Sequence, residues 1–427
     1  MLISLAASTA SARIRALSAA LAVMVGVSAC TLDAINPGPI QADALNTPGA
    51  LSALVNGSGR DLAEALNWTA YTGAAAAREI FPGGSTGAFG ISVQQQNGKL
   101  TDDDGNTYWD FSQRARWTAE DAVARAKVIV AGTPTTALNN SLAQALVWAG
   151  YANRLLGENF CEGVINGGVN GSYTVYFERS EAQFTEAITV ATATSNSALV
   201  QAATAGRASV RLLRNNPTGA ASDAAGLANT MVYRMPYYQN ELDQYNRIFW
   251  ASANQPYRAH TVWNTVTEAY RKTTRDPRVP FDSSLTVLQG DAAVGSLGRV
   301  RWYFQTKYPV LTSNINLSSG WEMRLIEAEA KLIANDVAGA MTILNARRTA
   351  LALAPITAAT ATEAWAALKR ERGIELWLEG RRLGDLRRWA ALSRPGALDA
   401  KEELPGRDLC FATPLSEKQT NTNYKNP

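Results

Sequence analysis

Histidine is nearly absent: the 427-residue chain has one, His260. Zinc sites built on several imidazoles, and the HExxH motif, are therefore excluded. No Gly-x-Ser-x-Gly elbow and no P-loop is present, which removes two common routes to acyl and phosphoryl chemistry. The net charge is only +3, with 40 basic and 37 acidic residues. That balance does not suit a dedicated nucleic-acid binder, and no nucleic-acid partner is expected. Cysteine is scarce, at positions 30, 161 and 410. Beyond the N-terminus no window approaches 18 apolar residues, the length a membrane-spanning helix needs. What is present is a 46% hydrophobic composition, enough for a substantial core, and 11 tryptophans, 14 tyrosines and 10 phenylalanines. Such rings fill cores, and they also make flat stacking platforms.

Residues 1–29 carry Arg13 and Arg15, no acid, and an apolar stretch from Ala16 through Val27. This is the basic-then-apolar layout of a secretory signal. It ends in Val27-Ser28-Ala29-Cys30, which resembles the lipobox of bacterial lipoproteins. The resemblance implies cleavage before Cys30, lipidation of its thiol and stable membrane anchoring by several acyl chains. The alternative is an ordinary cleaved signal beside a chance cysteine.

In an exported chain Cys161 and Cys410 can form a disulfide. The alternative is two buried thiols; export and the even count favour the bond. It would close a very long loop, worth about 4–5 kcal/mol on the chain-entropy model. Asp102-Asp103-Asp104-Gly105-Asn106 could offer oxygens to calcium. However, the glycine stands fourth from Asp102 rather than sixth, so the EF-hand register fails. The run reads as a solvated turn, and no metal or other cofactor is expected. His260 reads as a polar side chain in a loop, with no second ligand nearby.

Along the chain we distinguish a signal (1–29), a tether with N-terminal helices and a long loop (30–114), helical pairs (115–215), an irregular aromatic-rich insertion (216–317) and a C-terminal helical region with its tail (318–427). Within the pairs, Thr118 with Glu120 and Asp121 reads as a helix start running to about Val130. Leu142, Leu146, Ala149 and Ala152 share one helical face over about 139–156. Ser180-Glu181-Ala182-Gln183 matches a capping box opening a helix to about Ala193, and a partner covers 197–214. Two helices per 35 to 40 residues is the period of a TPR-like array. Prolines and aromatics break the pattern over 215–317, where 231–238 and 300–304 are candidate strands. Helices return at 321–334, 337–351 and 362–379, the last stopping at Gly380. The fold class expected is mainly α: a TPR-like helical-pair scaffold carrying an irregular, loop-rich insertion.

The C-terminal third contains Arg370-Glu371-Arg372, then Glu375-Leu376, Glu379-Gly380-Arg381-Arg382 and Asp385-Leu386-Arg387-Arg388-Trp389. This order resembles the RagB/SusD family of surface lipoproteins. Asp276-Pro277-Arg278, Lys307-Tyr308-Pro309 and the closing segment from Phe411 are similar to its other landmarks. Arg381 stands where a histidine is frequent, and Leu383-Gly384 replaces a usual aromatic pair. The resemblance implies a binding protein and not an enzyme. It implies a surface-exposed outer-membrane lipoprotein that binds a glycan or peptide nutrient and acts as the lid of a SusC-like TonB-dependent transporter. Two other readings stay open: a lipid-anchored helical glycan hydrolase, and a TPR scaffold for envelope assembly.

Glu371, Glu375 and Glu379 recur at a spacing of four, so they share a helix face. Beside so many arginines they should be held ionised, in an ion-pair network and not as a general acid. Trp148, Trp321, Trp365 and Trp377 lie in helical patterns and read as core. Trp68, Tyr71, Phe81, Phe89, Trp109, Tyr237, Tyr238 and Trp302 lie in or beside irregular segments. These are the candidate ligand-stacking residues, because a sugar's C–H face stacks on such rings.

Overall fold

A computed structural model describes residues 42–253 and 257–426. The signal, Cys30 and most of the tether lie outside the described residues. The chain divides into two units, 1–45 and 46–427; of the first, one short 3₁₀ turn at Ala42–Leu45 is described. All that follows belongs to the second.

The scaffold begins with α1 (Pro48–Ala76), whose Pro48 sits at the first helical position, where its missing N–H costs nothing. A short α2 (Val93–Gln96) follows, closed by a capping box from Ser92 and Gln95. Next come α3 (Asn106–Gly132), α4 (Thr136–Asn159), α5 (Thr174–Ala193), α6 (Ser197–Leu213) and α7 (Pro217–Ala225). Each of α4 to α7 packs on the helix before it, and α1 packs on α3 and α4. The fold is mainly α, a stack of helical pairs with an irregular insertion.

Two expected helix starts move. The helix expected at Thr118 begins at Asn106 instead, because Tyr108, Trp109, Ser112 and Ala115 continue its buried stripe backwards. Thr118 lies mid-helix, its hydroxyl donating to the Arg114 carbonyl at 3.0 Å. Ser180 is likewise no cap. Tyr176 and Phe177 are buried ahead of it in α5, and its hydroxyl donates to the Gly150 carbonyl of α4 at 2.6 Å.

Glycines set how closely these helices approach. Phe184 of α5 lies between Gly150 of α4 and Gly206 of α6; a Cβ at Gly150 would come within 2.6 Å of the ring. Phe177, two turns earlier on α5, meets Gly157, two turns on from Gly150, in the same way. Each ring fills a notch that a side chain would close.

The insertion contains α8 (Arg247–Ser252) and α9 (Val266–Thr274) and short strands that pair only in twos. Strand β1 (Phe81–Pro82) pairs with β5 (His260–Thr261), and β2 (Glu162–Gly163) with β3 (Gly171–Ser172). Strand β4 (Val232–Met235) pairs with β8 (Ile315–Ser319), and β6 (Phe281–Ser283) with β7 (Tyr303–Gln305); all four pairs are antiparallel.

The last helices are α10 (Gly320–Ile333), α11 (Val337–Ala350), α12 (Ala361–Glu375), α13 (Arg382–Ala391) and α14 (Leu415–Thr420). The expected stop at Gly380 is corrected: α12 ends at Glu375. The chain then turns through Leu378 at φ 61° and Gly380 at φ 73°. A Cβ at Gly380 would sit 3.1 Å from the Ala70 methyl of α1, so glycine lets this turn press on the scaffold.

The motif residues of this region are tied together by buried ion pairs. Arg381 reaches Glu158 at 2.8 Å and Glu322 at 2.6 Å. Arg372 and Arg388 share Asp385, at 2.6 and 3.0 Å, and Arg388 also holds Glu329. Burial opposes ionisation of Asp385, but Arg372, Arg388 and Arg381 outweigh it and lower its pKa to about 2. Glu371 pairs with Arg278 and Arg348, and Glu375 with Arg347. Glu379 departs from the expectation for the stripe. Burial raises its pKa even with Lys307 at 2.8 Å.

Cys161 and Cys410 form a disulfide, with Cα atoms 5.1 Å apart. It fastens the segment after α4 to the tail, beside the parallel bridge between Phe160 and Phe411.

Candidate functional site

A cleft of about 400 Å³ opens between α1, α4 and the loop after β4. Its floor is one stripe of α1: Asn56, Gly59, Arg60, Ala63 and Glu64. These positions fall three and four apart, so they share a helix face. One wall is Trp148 of α4. The other is the loop from Met235 to Gln244, carrying Tyr238 and Asp243.

Local chemistry fixes each wall. Trp148 lies over Gly59, where a Cβ would come 3.0 Å from the indole nitrogen, so the glycine lets the ring settle on the helix. Behind Trp148 the rings of Tyr233, Tyr151 and Phe184 continue into the core, with successive centroids 5.7, 5.7 and 4.9 Å apart. The opposite loop is pinned by Tyr237, whose hydroxyl donates to the Ala63 carbonyl at 2.9 Å. It is closed on itself by the Tyr238 N–H donating to the Gln244 carbonyl at 3.0 Å. Tyr238 is left 54% exposed.

The polar part of the cleft is an ion-pair lattice. Arg60 bonds Asp243 and lies within 4 Å of Glu241, Glu64 and Asp61. Arg114 of α3 pairs with Asp61 at 3.3 Å and also with Glu64. Burial raises the Glu64 pKa; Asp243 and Asp61 add to the rise, and Arg114 and Arg60 oppose it.

Two other hollows suit a ligand less. A larger groove of about 540 Å³ beside α7 and α10 has no aromatic wall. A hollow under the C-terminal helices holds about 40 Å³, too little for a sugar ring.

The eight candidate stacking residues separate clearly. Tyr71, Phe89, Trp109, Tyr237 and Trp302 are 3% exposed or less and present no face to solvent. The irregular segments fold back onto α1 and α3, so their aromatics fill the gap beneath them. Trp302 donates its indole N–H to the Ser252 carbonyl, and Trp109 donates to Glu417. Trp68 and Phe81 are half-buried, with Arg247 3.3 Å from the Trp68 ring centre and Arg78 5.1 Å from that of Phe81. Only Tyr238 reaches the cleft with its ring available. Trp148, expected in the core, stands in the cleft wall. Asn56, Arg60 and Glu64 were missed altogether; an Arg–Glu pair at i,i+4 on an Ala-rich helix looks like ordinary solvated surface.

One further expectation changes, and the acidic run keeps its expected turn. His260 is fully buried on β5, not in a loop. Its Nδ1 lies 2.7 Å from the Tyr71 hydroxyl, and burial lowers its pKa to about 3. In the acidic run, Asp102 pairs with Lys418 at 2.8 Å, and Asp104 accepts the Ser92 hydroxyl at 2.6 Å.

Residues 298–427 match the family model of the SusD family. No curated protein matches the chain. Among solved structures, a SusD superfamily protein from Bacteroides thetaiotaomicron is 14% identical, with TM-score 0.65 over 89% of this chain and 99% of its own. A SusD-like carbohydrate-binding protein from Bacteroides vulgatus is 14% identical, with TM-score 0.62 over 88% and 97%. A laminarin-binding SusD-like protein is 15% identical, with TM-score 0.56 over 89% and 99%. At these identities the structures establish the fold. The C-terminal residues 298–427 carry the sequence likeness to the SusD family, and the structures show that the chain has the SusD-like fold.

Proposed function

We propose that the protein captures a glycan in the cleft between Trp148 and Tyr238 and delivers it to a SusC-like TonB-dependent barrel in the outer membrane. The observation that carries this reading is the cleft itself. An aromatic wall suits the C–H face of a sugar, and the Asn56 and Gln244 amides beside it suit hydroxyls. The description of two structural neighbours as carbohydrate and laminarin binders supports a glycan over a peptide. In this reading Cys30 carries the lipid anchor, and the protein closes over the barrel as its lid. No described helix is long and apolar enough to cross a membrane, so such a helix is not what holds this part of the chain there.

The test is gentle affinity purification of the tagged, lipidated protein from its native membrane, followed by mass spectrometry. The reading expects a large TonB-dependent barrel. Recovery with envelope-assembly factors alone would replace it with a scaffold. The purified protein should leave bound oligosaccharides intact. Release of shorter sugars would point to hydrolysis, with Glu64, the cleft carboxylate whose pKa burial raises, as the acid to examine.

A further inference from the structure

The cleft carries a charge preference that its aromatic walls alone do not set. Two carboxylates line it, Glu64 on α1 and Asp243 on the facing loop, and two more, Asp61 and Glu241, stand within 4 Å of the Arg60 in its floor. Two guanidiniums answer them, Arg60 and Arg114. The group keeps an excess of two negative charges.

Neither arginine is free. Arg60 is shared among all four acids, and Arg114 is divided between Asp61 and Glu64. An acidic sugar would have to break one of these pairs to gain a cation. A second observation points the same way. Asp243 Oδ2 accepts from Arg60, whereas its Oδ1 is buried at the cleft wall with no hydrogen-bond partner among the described residues. A buried carboxylate oxygen without a donor is costly, and a ligand N–H or O–H would supply one. The remaining wall residues, Trp148, Met235, Pro236 and Tyr237, bring no charge of either sign.

We propose that this cleft rejects uronic-acid and sulfated glycans, accepts neutral ones, and binds most tightly glycans bearing a protonated amine that reaches Asp243. The proposal rests on the glycan reading of the cleft and narrows it to a substrate class.

A glycan array with backbones matched in neutral, amino, uronic and sulfated forms tests it. The expected ranking is amino above neutral above acidic, with roughly tenfold between steps, from Coulomb interaction with two net charges at near-surface dielectric. Raising the salt to about 0.5 M should compress the ranking, because exposed charges are screened. The double substitution Glu241→Gln/Asp243→Asn should bring uronic glycans up to the level of their neutral partners. Tyr238→Ala should weaken every class together.

Acidic glycans bound as well as their neutral partners would overturn the charge preference and leave the cleft reading standing. A ranking unmoved by the double substitution, or binding unmoved by Tyr238→Ala, would place the selectivity elsewhere and overturn it too. An array with no binding in any class would overturn the glycan reading and this inference with it.

Discussion

Glu79 offers a sharp test of the packing between scaffold and C-terminal region. It follows α1 at the point where the turn after α12 presses on that helix. Its backbone carbonyl accepts the Trp377 indole N–H at 3.3 Å, and Oε1 accepts the Leu378 N–H at 3.2 Å. Oε2 is buried with no partner among the described residues. Burial raises the pKa from 4.5 to about 7; the Leu378 N–H, Arg382 and Lys307 only partly offset it. The folded state therefore holds the proton after the unfolded chain has released it. Stability falls as pH rises from about 4.5 to about 7, and is constant above and below that window. Two to three pH units at about 1.4 kcal/mol each make a loss on the order of 3 kcal/mol. Glu79→Gln removes the titration but keeps an acceptor for Leu378. Urea unfolding at pH 5 and pH 8 should show near parity at the lower pH. At the higher pH the variant should be more stable by up to about 3 kcal/mol. Equal destabilisation of Glu79→Gln at both values would show the carboxylate ionised and paired in the fold, and would refute the argument.

Three other outcomes follow from particular contacts. Gly206→Ala should destabilise by about 1–3 kcal/mol against the Phe184 ring, although alanine is worth about 1 kcal/mol as a helix former; thermal unfolding decides which effect wins. Cys161→Ser/Cys410→Ser should lower the melting temperature. Loss of a crosslink spanning 249 residues removes about 5 kcal/mol on the chain-entropy model, and reducing the wild type should give the same curve. His260 acts opposite to Glu79. Its folded pKa of about 3 lies below the ordinary 6.5, so its contribution is present above 6.5 and is lost as pH falls toward 3. His260→Gln should flatten acid unfolding across that window; an unchanged slope would show the ring protonated in the fold.

Much of the scaffold could be read directly. The helix over 139–156 was marked by Leu142, Leu146, Ala149 and Ala152, all of them buried in α4. Helix existence follows from periodicity, and the disulfide partners followed from export and count. Helix starts were harder. The capping pattern at Ser180 is local, whereas the burial of Tyr176 and Phe177 that carries α5 past it depends on α4. The site was harder still. Aromatics in irregular segments looked exposed, but those segments fold back over α1 and bury Tyr71, Tyr237 and Trp302. Trp148 looked internal because its helix is internal, yet its ring ends the aromatic stack at the cleft wall, over the space that Gly59 leaves. Which face of a helix stays open is decided by the loop that lies across it. Here that loop is brought in by Tyr237, some 170 residues along the chain from Ala63.

The most direct test of the glycan cleft is calorimetric titration of the best array glycan into the wild type, Trp148→Ala and Tyr238→Ala. Each aromatic platform is worth about 1 kcal/mol or more. The account predicts a rise in Kd of roughly five- to tenfold for Tyr238→Ala with unchanged unfolding, and at least as large a rise for Trp148→Ala. A Kd that both substitutions leave unchanged would contradict it.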